Sequence, residues 1–282
     1  MFSITSVLYL YSAKTDLVMK RLIPVIILII LSSDSLSAWG ILGHEVIVAV
    51  AQRHLTPTAK KNIGKYIAYD LKEDASWMDY HRNDKPISYT THWHACFFDS
   101  EFNYSPLMHP AKARYGDVGR ALQVVDANLR NNGHRHLSDS LVVFNIRMLI
   151  HFVGDMHCPV HTYFNDGFDT KWECTFKGKT YKTFHTIYDI MPEMIWGKAS
   201  ADDVAAALDE ATPREIRKIV SGTLYDWLKD AATRSHQIYE WNPAGAEVIR
   251  EDTVELSREL TNLQMRNAGY RLAYLLNQYF GQ

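Results

Sequence analysis

Residues 141 to 153 of this chain read LVVFNIRMLIHFV, apolar at almost every position. A helix that is apolar on all sides leaves no face for water and belongs at the centre of a bundle. The spacing predicts such a helix, with Ser138 placed as its N-cap. Directly after it comes HFVGDMHCPVH, residues 151–161, with three histidines and an aspartate. A charged aspartate at the end of a buried helix needs a cation or hydrogen bonds to offset its desolvation. The chain must therefore wrap other helices around residues 141–153 and leave a polar cavity at one end.

The remaining segments supply those helices. ILGHEVIVAVAQRHL is apolar through a helix-length window. Thr56-Pro57 and Thr212-Pro213 each place a capping hydroxyl before a proline at the first helical position. Val118, Leu122, Val125 and Leu129 follow a helical period. The segment TVELSRELTNLQMRNAGYRLAYLLNQYF reads as a long amphipathic helix. Strand signals are thin. WECTFKGKTYKTFH allows one short β-hairpin around Lys177-Gly178. The fold expected is all-α, a single mainly helical domain with room for one short hairpin.

The amino terminus carries a different signal. Lys20 and Arg21 precede an apolar stretch from Leu22 to Leu31, and small residues end at Ser37 and Ala38. This is the three-part layout of a secretory signal peptide over residues 1–38, with an apolar run too short for a spanning helix. Met19 reads as the biological start, so residues 1–18 are an upstream artefact of gene calling. Cleavage after Ala38 leaves a domain of residues 39–282 with no transmembrane segment, in the periplasm or outside the cell. An uncleaved membrane anchor is the alternative.

That compartment permits disulfides, but there are only three cysteines against thirteen histidines. The imbalance favours imidazole-rich metal chemistry over a disulfide scaffold. Cys158 with Cys174 is a possible bridge. The net charge of −2 excludes a basic coat for polyanions, so any nucleic-acid binding must be local.

His151 and Asp155 are four residues apart, one turn on a single helix face. His185 and Asp189 repeat the spacing. His44, Asp79, His94 and His161 lie in the segments WGILGHE, SWMDY, THWHACFF and HCPVH. Mixed imidazole and carboxylate donors suit zinc.

The set WGILGHE, SWMDYHR, HWHACFFD, HFVGDMHCPVH and FHTIYDIMP, in this order, resembles the zinc-dependent single-strand nucleases of the fungal S-one and P-one type, which are related to bacterial zinc phospholipase C. The resemblance implies a trinuclear zinc cleft. Asp79, His94, His151 and Asp155 would hold one zinc. Asp155 would bridge to a second, held also by His44 and by the α-amino group and carbonyl of Trp39. His161, His185 and Asp189 would hold the third. Asp79 and Asp155 would thus serve catalysis, and Arg82 matches a basic position that neutralises charge on the phosphate. An ordinary surface arginine is the other reading of Arg82.

The implied activity is hydrolysis of single-stranded RNA and DNA to 5′-phosphorylated products, with 3′-nucleotidase activity besides. A monomer with no stable protein partner is expected. Phospholipase C activity on lipid head groups and a non-catalytic zinc protein are the alternatives.

The sequence departs from the family pattern at two loops. HACFFD is longer than usual, which leaves His92 as a rival to His94 and the base-recognition role of Asp99 open. YFNDGFDTKWECTF lacks the usual glycine and asparagine, with Asn165 or Asp166 as substitutes. Trp93, Phe97, Phe98 and Tyr163 either stack on unpaired bases or pack the core.

Overall fold

Helix α1 (Ile41–Arg53) is buried along most of its length, and Val46 to Ala51 have no water-facing residue. The computed structural model describes residues 39–104, 116–163, 172–243 and 245–282. Residues 1–38, read from the sequence as a signal peptide, and Asn165 and Asp166 lie outside the described residues.

After α1, Thr56 starts α2 (Pro57–Ile63) by accepting from the Ala59 amide at 3.1 Å. A short helix α3 (Trp77–His81) follows, then α4 (Val118–Leu129), capped by Asp117. Helix α5 (Asp139–Asp155) holds the position the apolar run requires. Every residue from Met148 to Asp155 is buried. Ser138 is its N-cap, but the hydroxyl does not cap; it lies 3.1 Å from the Ser140 hydroxyl.

Strands β1 (Cys174–Phe176) and β2 (Lys179–Tyr181) form the hairpin, with Cys174 opposite Tyr181. Lys177 and Gly178 both have positive φ, 49° and 74°. Two left-handed residues in succession make the tight hairpin turn whose twist matches the strands. Then come α6 (Phe184–Asp189), α7 (Met191–Trp196), α8 (Ala201–Leu208), α9 (Pro213–Ile219), α10 (Leu224–Trp241) and α11 (Val254–Phe280). Thr212 opens α9 with a full capping box to Glu215.

Helix α11 differs from its sequence reading. It is not simply amphipathic: from Gln264 to Ala273 only Arg266 escapes burial. Two of its buried polar side chains, Gln264 and Arg271, reach partners elsewhere in the fold. Gln264 donates to the His157 carbonyl, and Arg271 donates to His157 Nε2, the Ile219 carbonyl and Asp230. Gly269 lets α11 press on α1, since a Cβ there would meet Val50 at 2.5 Å.

Among the described residues no helix is long and apolar enough to cross a membrane. Cys96, Cys158 and Cys174 are buried free thiols, so the Cys158–Cys174 bridge does not form.

Candidate metal centre

The C-terminal turn of α5 is where the helices bring their polar groups together. His151 and Asp155 project from it as the i, i+4 spacing requires, both fully buried. His44 comes from α1, Asp79 from α3, and His94 from the loop behind Ser88–His92. His94 Nδ1 lies 2.9 Å from Asp155 Oδ2 and 3.7 Å from Asp79 Oδ1. His151 Nε2 lies 3.4 Å from Asp155 Oδ2, 3.7 Å from Asp79 Oδ1 and 3.2 Å from His94 Nδ1. His44 Nε2 approaches the other oxygen, Asp155 Oδ1, at 3.4 Å.

These distances test a metal directly. Tetrahedral zinc with bonds of about 2.0–2.1 Å spaces its donor atoms roughly 3.3 Å apart. The six donor–donor distances above scatter around that edge. Yet both oxygens of Asp155, Oδ1 of Asp79 and both nitrogens of His44 have no hydrogen bond. Buried polar groups in native proteins are almost always hydrogen-bonded. These donor atoms lie close together and several are left without a hydrogen bond among the described residues, so the residues present fit a cation.

The tautomers agree. His151 Nδ1 donates to the Ala75 carbonyl at 2.9 Å, and His161 Nδ1 donates to the His94 carbonyl at 2.6 Å. Each bond keeps a proton on Nδ1 and turns Nε2 toward the cluster, where it can bind a metal once it gives up its own proton.

Electrostatics point the same way. Burial pushes the Asp155 carboxyl up, but the charges of His151 and His94 outweigh it and hold Asp155 well below the usual range. Asp79 is likewise buried, and His151 and His94 bring it down to about 2. Burial lowers His151, and the carboxylates of Asp155 and Asp79 overcome this and raise it to about 9.

A second cluster lies beyond α5. His161 Nε2 is 3.0 Å from His185 Nε2 and 3.6 Å from Asp189 Oδ1, and His185 Nε2 is 3.4 Å from the same oxygen. His185 and Asp189 share one face of α6. Cys158 Sγ lies 3.8 Å from Asp189 Oδ1 and, with His161 and Asp189, offers a third donor atom. Here burial dominates. It pushes Asp189 up to about 7 and, helped by His161, His185 well down.

The structure thus brings together His44, Asp79, His94, His151 and Asp155 in one cluster, and His161, His185 and Asp189 in another. Trp39 is fully buried, and its indole Nε1 donates to the Gly154 carbonyl at 3.0 Å. His92 belongs to neither cluster. Arg82 Nη1 sits 4.0 Å from Asp79 Oδ1. Asp99 faces its own loop: its carboxylate accepts from the amides of Glu101 and Asn103 at 2.9 Å each. Trp93, Phe97, Phe98 and Tyr163 are all buried, so they pack the interior and offer no face to a base.

Gly154 was not singled out by the sequence. A Cβ there would meet His44 Nδ1 at 2.6 Å, so the glycine is what lets His44 stack on His151 with ring centroids 4.2 Å apart.

The family model described as S1/P1 Nuclease matches residues 39–281. The chain belongs to the S1/P1 nuclease family. Nuclease P1 of Penicillium citrinum is 24% identical over 278 residues, covering 86% of this chain and 98% of that one. Nuclease PA3 of a Penicillium species is 27% identical over 281 residues, covering 86% and 98%. Endonuclease 2 of Arabidopsis thaliana is 25% identical over 285 residues, covering 89% and 93%. Membership in the S1/P1 nuclease family makes the chain a nuclease-type hydrolase acting on nucleic acid, with clusters that could bind metal ions at its centre.

Proposed function

We propose that the chain is a secreted, zinc-dependent phosphodiesterase. It hydrolyses single-stranded RNA and DNA to 5′-phosphorylated products and also removes 3′-phosphates from nucleotides. The observation that carries this reading is Asp155, a fully buried carboxylate among three imidazoles with neither oxygen hydrogen-bonded.

Asp79, His94, His151 and Asp155 would hold one zinc. Asp155 would bridge to a second, shared with His44 and the amino terminus. His161, His185 and Asp189 would hold the third. Bound zinc supplies Lewis-acid polarisation of the phosphoryl group and a lowered pKa for the attacking water. The residues of the chain do the rest. The carbonyls of Ala75 and His94 lock His151 and His161 in the coordinating tautomer. Asp155 binds the two halves of the first cluster to one rigid helix end, so the donors hold position as substrate charge changes. Arg82, beside Asp79, orients a phosphate through its planar fork.

Signal-peptide removal after Ala38 is part of the reading. It frees the α-amino group of Trp39 in the periplasm or outside the cell, and the protein acts there as a monomer. With Trp93 and its neighbours buried, single-strand preference draws support from Tyr80, which is 67% exposed one residue from Asp79.

The test is cleavage of single-stranded RNA by protein beginning at Trp39, with zinc and with EDTA. Cleavage that EDTA abolishes, leaving 5′-phosphate ends, is the expected result. A folded, zinc-loaded protein that leaves RNA and single-stranded DNA intact would overturn the proposal.

A further inference from the structure

Helix α1 starts without a cap of its own. Its N-cap is Gly40, which has no side chain to accept from the first amides. The acceptor comes from α7, some 150 positions away: Glu193 Oε1 accepts from the Leu42 amide at 3.0 Å. A carboxylate at a helix N-terminus is favourable through the free amides and the helix dipole. A side chain at position 40 would displace the Glu193 carboxylate from this place. A Cβ on Gly40 would lie 2.3 Å from Glu193 Oε1 and 2.7 Å from Oε2.

Only one oxygen of Glu193 is used. Oε2 is buried and has no hydrogen-bond partner. An unpaired buried carboxylate oxygen carries its full desolvation penalty, and burial accordingly pushes the Glu193 carboxyl up. A Cβ built on Gly40 would stand 2.7 Å from this oxygen, which places it beside residue 40, next in the chain to Trp39. The same backbone is held on its other side, where the Gly40 amide donates to the Asp189 carbonyl at 2.6 Å. Helices α6 and α7 thus grip the start of α1 twice, and α6 also carries His185 and Asp189.

We propose that Glu193 is a positioning residue for the processed amino terminus: its unused Oε2 accepts a hydrogen bond from the α-amino group of Trp39, while Oε1 caps α1. This inference rests on the reading that cleavage creates a metal-binding amine at Trp39. That amine needs its lone pair turned toward the metal, and a fixed carboxylate that accepts one of its N–H bonds sets that rotation. Groups that orient a metal ligand in this way are worth about 10–100-fold in metal affinity. Because Oε1 also sets the start of α1, Glu193 fixes His44 one turn further along. The Glu193 carboxylate therefore couples both amino-terminal donors to the helix pair bearing the second cluster.

The experiment uses four proteins: chains beginning at Trp39 and chains retaining Ala38, each with and without Glu193→Gln. Zinc content and zinc affinity are measured by competition with a chelator, beside a thermal melt. Glutamine keeps the shape and one acceptor oxygen for the Leu42 amide, so folding should survive. The expected result is a zinc affinity at least about tenfold weaker for one ion when E193Q is made in the Trp39-start chain. In the chain retaining Ala38, that ion is already weak and E193Q changes nothing further. Unchanged affinity in the Trp39-start chain would overturn the proposal. Equal loss in both backgrounds would also overturn it, leaving Glu193 as a helix cap alone. A parent Trp39-start chain that binds no zinc at all would instead sink the metal reading on which the proposal rests.

Discussion

At the end of α1, His54 Nε2 lies 2.7 Å from Asp209 Oδ1. At the end of α5, His94 Nδ1 lies 2.9 Å from Asp155 Oδ2. The residue types are the same and the distances nearly so. Around Asp209 every contact is a hydrogen bond: Arg53 donates at 2.7 Å, Tyr270 at 2.8 Å, and His54 completes the set. Around Asp155 three imidazoles crowd two oxygens and not one hydrogen bond forms. Asp209 is a finished site, satisfied by its own neighbours. Asp155 is not satisfied by its neighbours among the described residues, and a metal ion held by these donors, as proposed above, would satisfy it. Donor type and distance alone do not separate the two; what separates them is whether each buried atom has found a partner.

Substitutions at the two sites should therefore behave differently. The largest effect belongs to Asp155→Asn. It removes the carboxylate shared across the first cluster, and should cost two of three bound zinc ions. Loss of several kcal/mol of electrostatic stabilisation corresponds to roughly 10³-fold in rate, measured on single-stranded RNA, with elemental analysis counting the metal. Retention of near-parental activity would break the contrast with Asp209.

Asp189→Asn should cost one zinc ion and leave the first cluster loaded, with a rate loss of about 10²-fold, since one stabilising contact is removed rather than two. A variant that empties both clusters would mean that the two are not independent.

Gly154→Ala acts through His44. The added methyl would lie 2.6 Å from His44 Nδ1, so the ring must move. Zinc affinity at the first cluster should fall by about 10–100-fold while the protein stays folded. Titration of the metal-free variant checks this; parental affinity would show that α1 has room to shift.

The smallest effect is expected at Asp209. Asp209→Asn should leave zinc content unchanged and lower stability by at most about 1 kcal/mol, because the pairs are partly exposed. Its sign with pH is fixed. Burial raises Asp209, but hydrogen bonds from Arg53, His54 and Tyr270 hold it below the ordinary value. Its contribution is thus present above the unfolded pKa, near 3.9, and is lost as pH falls through the lower folded value. The difference in melting between parent and variant should hold steady above about pH 4 and narrow as pH falls below it. A difference that widens as pH falls below about 4 would contradict that linkage.

The contrast between the two sites is half legible in the sequence. The pairs His151–Asp155 and His185–Asp189 can be read directly, because a helix fixes the geometry of residues four apart. The central place of α5 follows from its apolar run, and the hairpin from Lys177-Gly178. What escapes is non-local. Gly154 beside His44 and Glu193 over Gly40 are contacts across more than a hundred residues, and neither leaves a local pattern. His92 and His94 lie two residues apart, His92 closing the helical turn Ser88–His92 and His94 in the loop after it, and only the folded chain places His94 among the donors. Trp93, Phe97, Phe98 and Tyr163 show the same limit. An aromatic ring in a loop sequence has the same composition whether it faces water or, as here, the core. The polar side chains of α11 misled for a related reason. Gln264 and Arg271 suggest a wet face, but their partners, His157, Ile219 and Asp230, lie far away in sequence.

Crystals of the protein beginning at Trp39, measured on both sides of the zinc absorption edge, would test the metal centre most directly. The prediction is two anomalous peaks sharing Asp155 and a third among His161, His185 and Asp189. An absence of any peak at Asp155, with its oxygens hydrogen-bonded to the surrounding imidazoles as Asp209 is to His54, would contradict it.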